Sequence, residues 1–109
     1  MSNVLPFETL SVNALGTYTV LEAMRTTRSA KNLIFASSGA HYGATTTDRP
    51  IAEDDAPCPA VNLYGPSKTA ADVVVRSYAS VFKLRAAVCR FMNTYGPGDT
   101  NFSRIVPRG

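Results

Sequence analysis

Leu10, Ala14, Leu15, Tyr18, Leu21 and Met24 recur at the three- and four-residue spacing of a helix, and Val12, Gly16, Val20 and Ala23 form a second stripe of smaller residues. The spacing predicts a helix from about Thr9 to Arg28, with so few polar positions that two of its sides need cover. After Ser29-Ala30-Lys31 comes Asn32 to Ser37, a short apolar run without alternation, which is how a strand buried on both faces of a parallel sheet reads. Residues 38–63 are loop, punctuated by Gly39, Gly43, Pro50, Pro57 and Pro59 and longer than most connections inside a domain, which favours a functional role for it. A second helix runs from about Tyr64 or Pro66 to Phe82. Its Pro66 is harmless in a first turn, and Ala70, Ala71, Val73, Val74, Tyr78, Val81 and Phe82 make it apolar around most of its girth. Ala86 to Phe91 is the next strand, Asn93 to Asp99 a turn, and the tail from Asn101 to Gly109 opens another helix. Helix, strand, helix, strand in this order is an α/β pattern with parallel strands. Two strands do not close a sheet core, so the chain reads as part of a domain.

Composition narrows the class. The chain has 109 residues, 45% hydrophobic and 17% charged, which excludes a disordered or low-complexity protein. Its apolar runs are a few residues long, far from the ~20 that span a bilayer, and no charged segment followed by an apolar one opens the chain. Those two features predict a cytoplasmic location and no membrane partner. Eleven basic residues against eight acidic give +3, but they are scattered, which argues against nucleic acid. Cys58 and Cys89, far apart and accompanied by a single His, describe neither a metal site nor a disulfide, and Cys89 reads as a small buried hydrophobe.

The strongest local chemistry is Tyr64-Gly65-Pro66-Ser67-Lys68. Four residues apart on a helix, Tyr64 and Lys68 share a face at its N-terminal end. An ammonium there, with the positive end of the helix, favours phenolate and suits Tyr64 to take a proton from a hydroxyl. Ser37 and Ser38 stand where the first strand ends, the side of an open parallel sheet on which ligands bind.

Asn13-Ala14-Leu15-Gly16-Thr17, Ser37-Ser38 through Tyr42-Gly43, Tyr64 through Lys68, and Arg90 through Gly98 together resemble four consecutive blocks of the extended short-chain dehydrogenase/reductases, and more narrowly the NAD-dependent epimerase/dehydratase group acting on nucleotide sugars. The resemblance implies a partial Rossmann-like parallel sheet with flanking helices. It also implies the roles of single residues. Tyr64 would be the acid/base, Lys68 would bind the nicotinamide ribose, Ser38 would hydrogen-bond the sugar, and Asn13 would support the proton relay. Phe91 would line the nicotinamide pocket, with Ser37 also on the cofactor side. Asn93 would hold the substrate diphosphate, with Asn101 and Arg108 nearer the nucleotide. No metal is implied.

The departures from the family are informative. No GxxGxxG fingerprint seats a pyrophosphate, so the chain is expected to be one partial domain, residues 1–109, without the glycine-rich N-terminal half and the C-terminal substrate part. NAD or NADP belongs to the complete enzyme, and the chain alone is expected to bind it weakly or not at all and to be inactive. Gly39 and Ala40 stand where dehydratases of the group carry an acid pair, which favours an epimerase or reductase. His41, usually apolar in the family, reads as a partly exposed loop residue. A homodimer or larger is expected through the two helices, the Val12/Gly16/Val20 stripe packing on the Ala71/Val75/Tyr78 region of a copy. The alternative to the enzymatic reading is a non-catalytic remnant that serves as an oligomeric interaction module.

Overall fold

The first helix starts earlier than its hydrophobic stripe suggests, because Pro6 sits in its first turn, where a missing N–H has no bond to lose. A computed structural model describes residues 2–44, 48–57 and 62–102. In it α1 (Pro6–Leu10) passes through one π turn (Ser11–Leu15) directly into α2 (Gly16–Thr27). The threonines of this rod fold their hydroxyls back onto carbonyls a turn earlier: Thr9 onto Leu5, Thr17 onto Asn13, Thr19 onto Leu15 and Thr27 onto Ala23. α2 ends on Arg28, which adopts a left-handed conformation and donates its N–H to the Met24 carbonyl at 3.2 Å.

Strand β1 (Asn32–Ser38) leads into a 3₁₀ turn (Gly39–Tyr42), helix α3 (Tyr64–Phe82) follows, and β2 (Arg85–Phe91) lies parallel to β1. The ladder runs from Asn32 opposite Arg85 to Ser38 opposite Phe91. α3 packs on both strands and on α2. Between these layers lies a small core of Ala14, Leu21, Met24, Tyr42, Ala71 and Val75.

Successive residues of a strand face opposite ways, and here only one face is covered. Leu33, Phe35 and Ser37 turn toward α3, while Ile34 on the other face is 75% exposed. The expectation that this strand is buried on both faces is therefore corrected: its apolar composition is not matched by cover within the described residues. Two further expectations change, one at Ala71 and Val75 and one at Cys89. Ala71 and Val75 are fully buried in the chain's own core and are not free to receive a stripe from a copy. The stripe itself, Val12 and Val20 with Leu15, is exposed. Cys89 is a free thiol that is only half-buried. The helix expected in the tail and the residue Arg108 lie outside the described residues. Among those described, no helix is long and apolar enough to cross a membrane.

Candidate active site

The N-terminus of α3 and the carboxyl end of β1 converge through Lys68. Its Nζ donates to the Ala36 carbonyl at 2.7 Å and lies 4.9 Å from the centre of the Phe35 ring. Burial against this strand end pushes the Lys68 ammonium below the usual lysine range. Ser38 is two residues further on. Its hydroxyl accepts from the Ala40 N–H at 3.1 Å and so caps the 3₁₀ turn. Phe91 is the ladder partner of Ser38, half-exposed beside it at the end of β2. The structure thus gathers Lys68, Ser38 and Phe91 around one strand end.

Tyr64 is the first residue of α3 and is 42% exposed. Its backbone is held at both ends. Asn62 Oδ1 accepts from the Tyr64 N–H at 3.0 Å and from the Gly65 N–H at 3.4 Å, and the buried Ser67 hydroxyl donates to the Tyr64 carbonyl at 2.7 Å. Asn13 completes the set by donating from Nδ2 to Ser67 Oγ at 3.0 Å. Asn13 lies inside the π turn, whose extra residue changes the angle at which side chains leave the helix, a device often found at functional sites. Sequence reasoning singled out Asn13 and Tyr64 but passed over Asn62 and Ser67. Asn62, just ahead of the helix, is the residue type that caps a first turn, and that signal was readable.

Ser37 faces away from Ser38. Its hydroxyl donates to Asp72 Oδ2 at 2.9 Å inside the protein. Asn93 is exposed beyond β2, and Asn101 donates its N–H to Asp99 Oδ1 at 3.0 Å after the turn that Gly98 makes at φ 85°. His41, expected at a partly exposed loop position, is 2% exposed. It is held edge-on against the Tyr42 ring, with centroids 5.0 Å apart, and its Nδ1 is buried without a hydrogen-bond partner. The short 3₁₀ turn, not a surface loop, carries it inward. Burial, and then the nearby Arg90 charge, hold its imidazole below the usual value.

Asp72 was not foreseen at all. It is fully buried and accepts from Arg90 Nε at 2.8 Å, Arg90 Nη2 at 3.0 Å and Arg76 Nε at 3.0 Å, besides Ser37. Burial works to raise its pKa, but the Arg90 fork and the Ser37 hydroxyl outweigh that, and the net shift is downward. Arg90 Nη1 goes on to the Tyr42 hydroxyl at 2.6 Å and the Glu53 carbonyl at 2.7 Å. Among the described residues, no cluster of three or more His, Cys, Asp or Glu is arranged to hold a metal.

Comparison with known proteins identifies the family. The model of the NAD dependent epimerase/dehydratase family matches residues 1–109. The dTDP-glucose 4,6-dehydratase of Mycolicibacterium smegmatis is 33% identical over 100 residues, 91% of this chain and 29% of that protein. The UDP-glucose 4-epimerase of Corynebacterium glutamicum is 38% identical over 84 residues, 77% of this chain and 25% of that protein. The crystal structure of UDP-glucose 4-epimerase from Brucella ovis in complex with NAD superposes with a TM-score of 0.75 at 36% identity, over 84% of this chain and 27% of that one. The chain therefore spans between a quarter and a third of the length of these relatives. Its helices and parallel strands are part of a Rossmann-like fold, and the chain belongs to the NAD-dependent epimerase/dehydratase family.

Proposed function

We propose that this chain is the acid/base segment of an NAD(P)-dependent enzyme that epimerises or reduces a nucleotide sugar, with Tyr64, Lys68, Ser38 and Asn13 as its working residues. The observation that carries the reading is the docking of Lys68 on the Ala36 carbonyl, which sets the first turn of α3 against the strand end that bears Ser38. The residues present fit the nicotinamide end of a cofactor. A half-buried ammonium with two of its three N–H donors left beyond Ala36 suits ribose hydroxyls, and the half-exposed Phe91 ring beside Ser38 offers an apolar wall. Pyrophosphate has no counterpart among the described residues, and no GxxGxxG run occurs in the sequence.

Bound at that end, a nicotinamide supplies the acceptor for a hydride from the sugar carbon. Tyr64 takes the proton of the hydroxyl on that carbon, and the Lys68 charge stabilises the anionic oxygen from which it acts. Ser38 orients the same hydroxyl from the strand side. Asn13, through Ser67, fixes the first turn of α3 from which the Tyr64 ring projects. Gly39 supports an epimerase or reductase over a dehydratase. A Cβ at that position would run into Met92 Sδ, so an acidic side chain there requires Met92 to move. Asn93, Asn101 and Arg108 are assigned to the diphosphate and nucleotide. Association of two copies is assigned to the exposed stripe of Val12, Leu15 and Val20 with Val73 and Val81 of α3.

The test is turnover of a nucleotide sugar by the complete protein. Tyr64→Phe keeps the ring and removes the proton acceptor, and is expected to lower kcat by about 10²-fold or more. A variant as active as wild type excludes the acid/base role of Tyr64. A wild-type protein without any turnover favours the interaction module.

A further inference from the structure

Helix α3 grips the end of β1 at two successive residues. Lys68 takes the carbonyl of Ala36 at 2.7 Å, and one turn later Asp72 takes the hydroxyl of Ser37 at 2.9 Å. The second strand joins at the same level, for Arg90 is the ladder partner of Ser37 and spans both oxygens of Asp72. The remaining arm of the guanidinium holds the Tyr42 hydroxyl at the far end of the 3₁₀ turn and the Glu53 carbonyl in the loop beyond. One ion pair therefore ties together the helix carrying Tyr64 and Lys68, the strand end carrying Ser38 and the turn that Ser38 caps. Stability alone is a poor reason for it, because desolvating a buried pair cancels most of what its attraction returns, and apolar residues of equal volume serve as well. Apolar residues would not supply the directed bonds to Ser37, Tyr42 and Glu53.

We infer that Asp72 and Arg90 are positioning residues, which fix the placement of Ser38 and its turn against Lys68 and Tyr64. The functional meaning of that placement rests on the reading given above. Neither residue touches the proposed reacting atoms. They act through Ser37, Ala36 and the turn.

The experiment reads Lys68 directly. The chain has three lysines, Lys31, Lys68 and Lys83, so labelling lysine Cε with ¹³C gives few enough signals to follow Lys68 by itself. In the wild type, packing against the strand end is expected to hold Lys68 below the usual lysine range. Arg90→Lys keeps a positive charge at the position but replaces the fork with a single point donor, and it adds a fourth labelled signal that is told apart by its absence from the wild type. Ser37→Ala leaves the ion pair whole and removes one hydroxyl between it and the strand. In both variants Lys68 is expected to rise toward the usual lysine range, as water reaches the loosened strand end. An unmoved Lys68 in folded Arg90→Lys and Ser37→Ala would reduce the pair to scaffolding and overturn the inference. If Arg90→Lys does not fold, Ser37→Ala decides alone. The readout needs no turnover, so it succeeds or fails independently of the functional reading. Where the complete protein turns over a sugar, Arg90→Lys is expected to lower kcat about tenfold with KM nearly unchanged. An unchanged kcat beside a shifted Lys68 would show that the placement has no part in the reaction.

Discussion

Val20 and Leu21 are neighbours on α2 with opposite surroundings, and the pair gives a quantitative check of which face of the rod is covered. Leu21 is 1% exposed, facing α3, whereas Val20 is 56% exposed. Leu21→Ala removes three buried carbons, about 2.4 kcal/mol at ~0.8 kcal/mol each, and the cavity left behind brings the cost to about 3–4 kcal/mol. Val20→Ala removes two carbons, about 1.6 kcal/mol if fully buried. With 56% of the residue already in water, about 0.7 kcal/mol of that remains. For a chain of this length, Leu21→Ala is therefore expected to lower the melting temperature by more than about 10 °C, and Val20→Ala by only a few degrees. Urea unfolding at low and at high micromolar protein separates a second effect. If copies associate through the Val12, Leu15 and Val20 stripe, the cost of Val20→Ala climbs toward about 1.6 kcal/mol at high concentration, while that of Leu21→Ala stays constant. Equal costs for the two substitutions at every concentration would refute the assignment of faces.

Other outcomes are expected from single features. The sole histidine titrates below its usual 6.5 when folded, so the unfolded chain binds the proton first and stability falls as the pH drops below about 6.5. His41→Phe keeps a ring against Tyr42 and should flatten the melting-temperature slope between about pH 7.5 and about pH 5.5, and an unchanged slope would assign it to another group. Glu22, which Arg25 holds down to about 2, loses its contribution only in stronger acid, as the pH falls below its ordinary 4.5, and does not confuse that window. Gly39→Ala should destabilise by about 1 kcal/mol as Met92 is displaced, and Met92→Ala in the same chain should abolish most of that cost. Additive costs would show that the two positions do not meet. The 109-residue chain alone is expected to bind NAD weakly or not at all by calorimetric titration, and micromolar affinity would reveal an anion site not described here.

Much of the fold was legible because α3, β1 and β2 each carry a local signal. Pro66 in a first turn, apolar spacing along α3 and two short runs of mostly apolar residues place these elements to within a residue or two. The face of each element was harder to read. Ile34 is apolar because of its strand, yet nothing among the described residues covers it, and composition cannot report which neighbours a chain includes. The first helix misled for another reason: a stripe counted at 3.6 residues per turn assumes an unbroken α-helix, and the π turn shifts the count upstream of it, which turns Leu10 outward. At the site, Tyr64, Lys68 and Ser38 were visible through short spacings. Asp72 and Arg90 were not, since they lie 18 residues apart and meet only because β2 returns beside β1. In the sequence, Lys68, Asp72 and Arg76 look like an ordinary ladder of surface charges.

The π turn behaves like a cam on the first helix. Ser11–Leu15 holds one residue more than an α-helix needs to cover the same height. Deleting any one of them lets the rod run through as pure α over the same height, so the segments on either side keep their phase while the widened turn itself closes. The axis and the packing of α2 on α3 would survive such a deletion. The widened turn would not: the amide of Asn13 would leave the helix at another angle, away from Ser67, and the first turn of α3 would lose its only brace from the opposite helix among the side-chain bonds described for Tyr64. A length polymorphism of one residue here would thus leave a protein that folds and melts almost normally with its tyrosine less firmly braced.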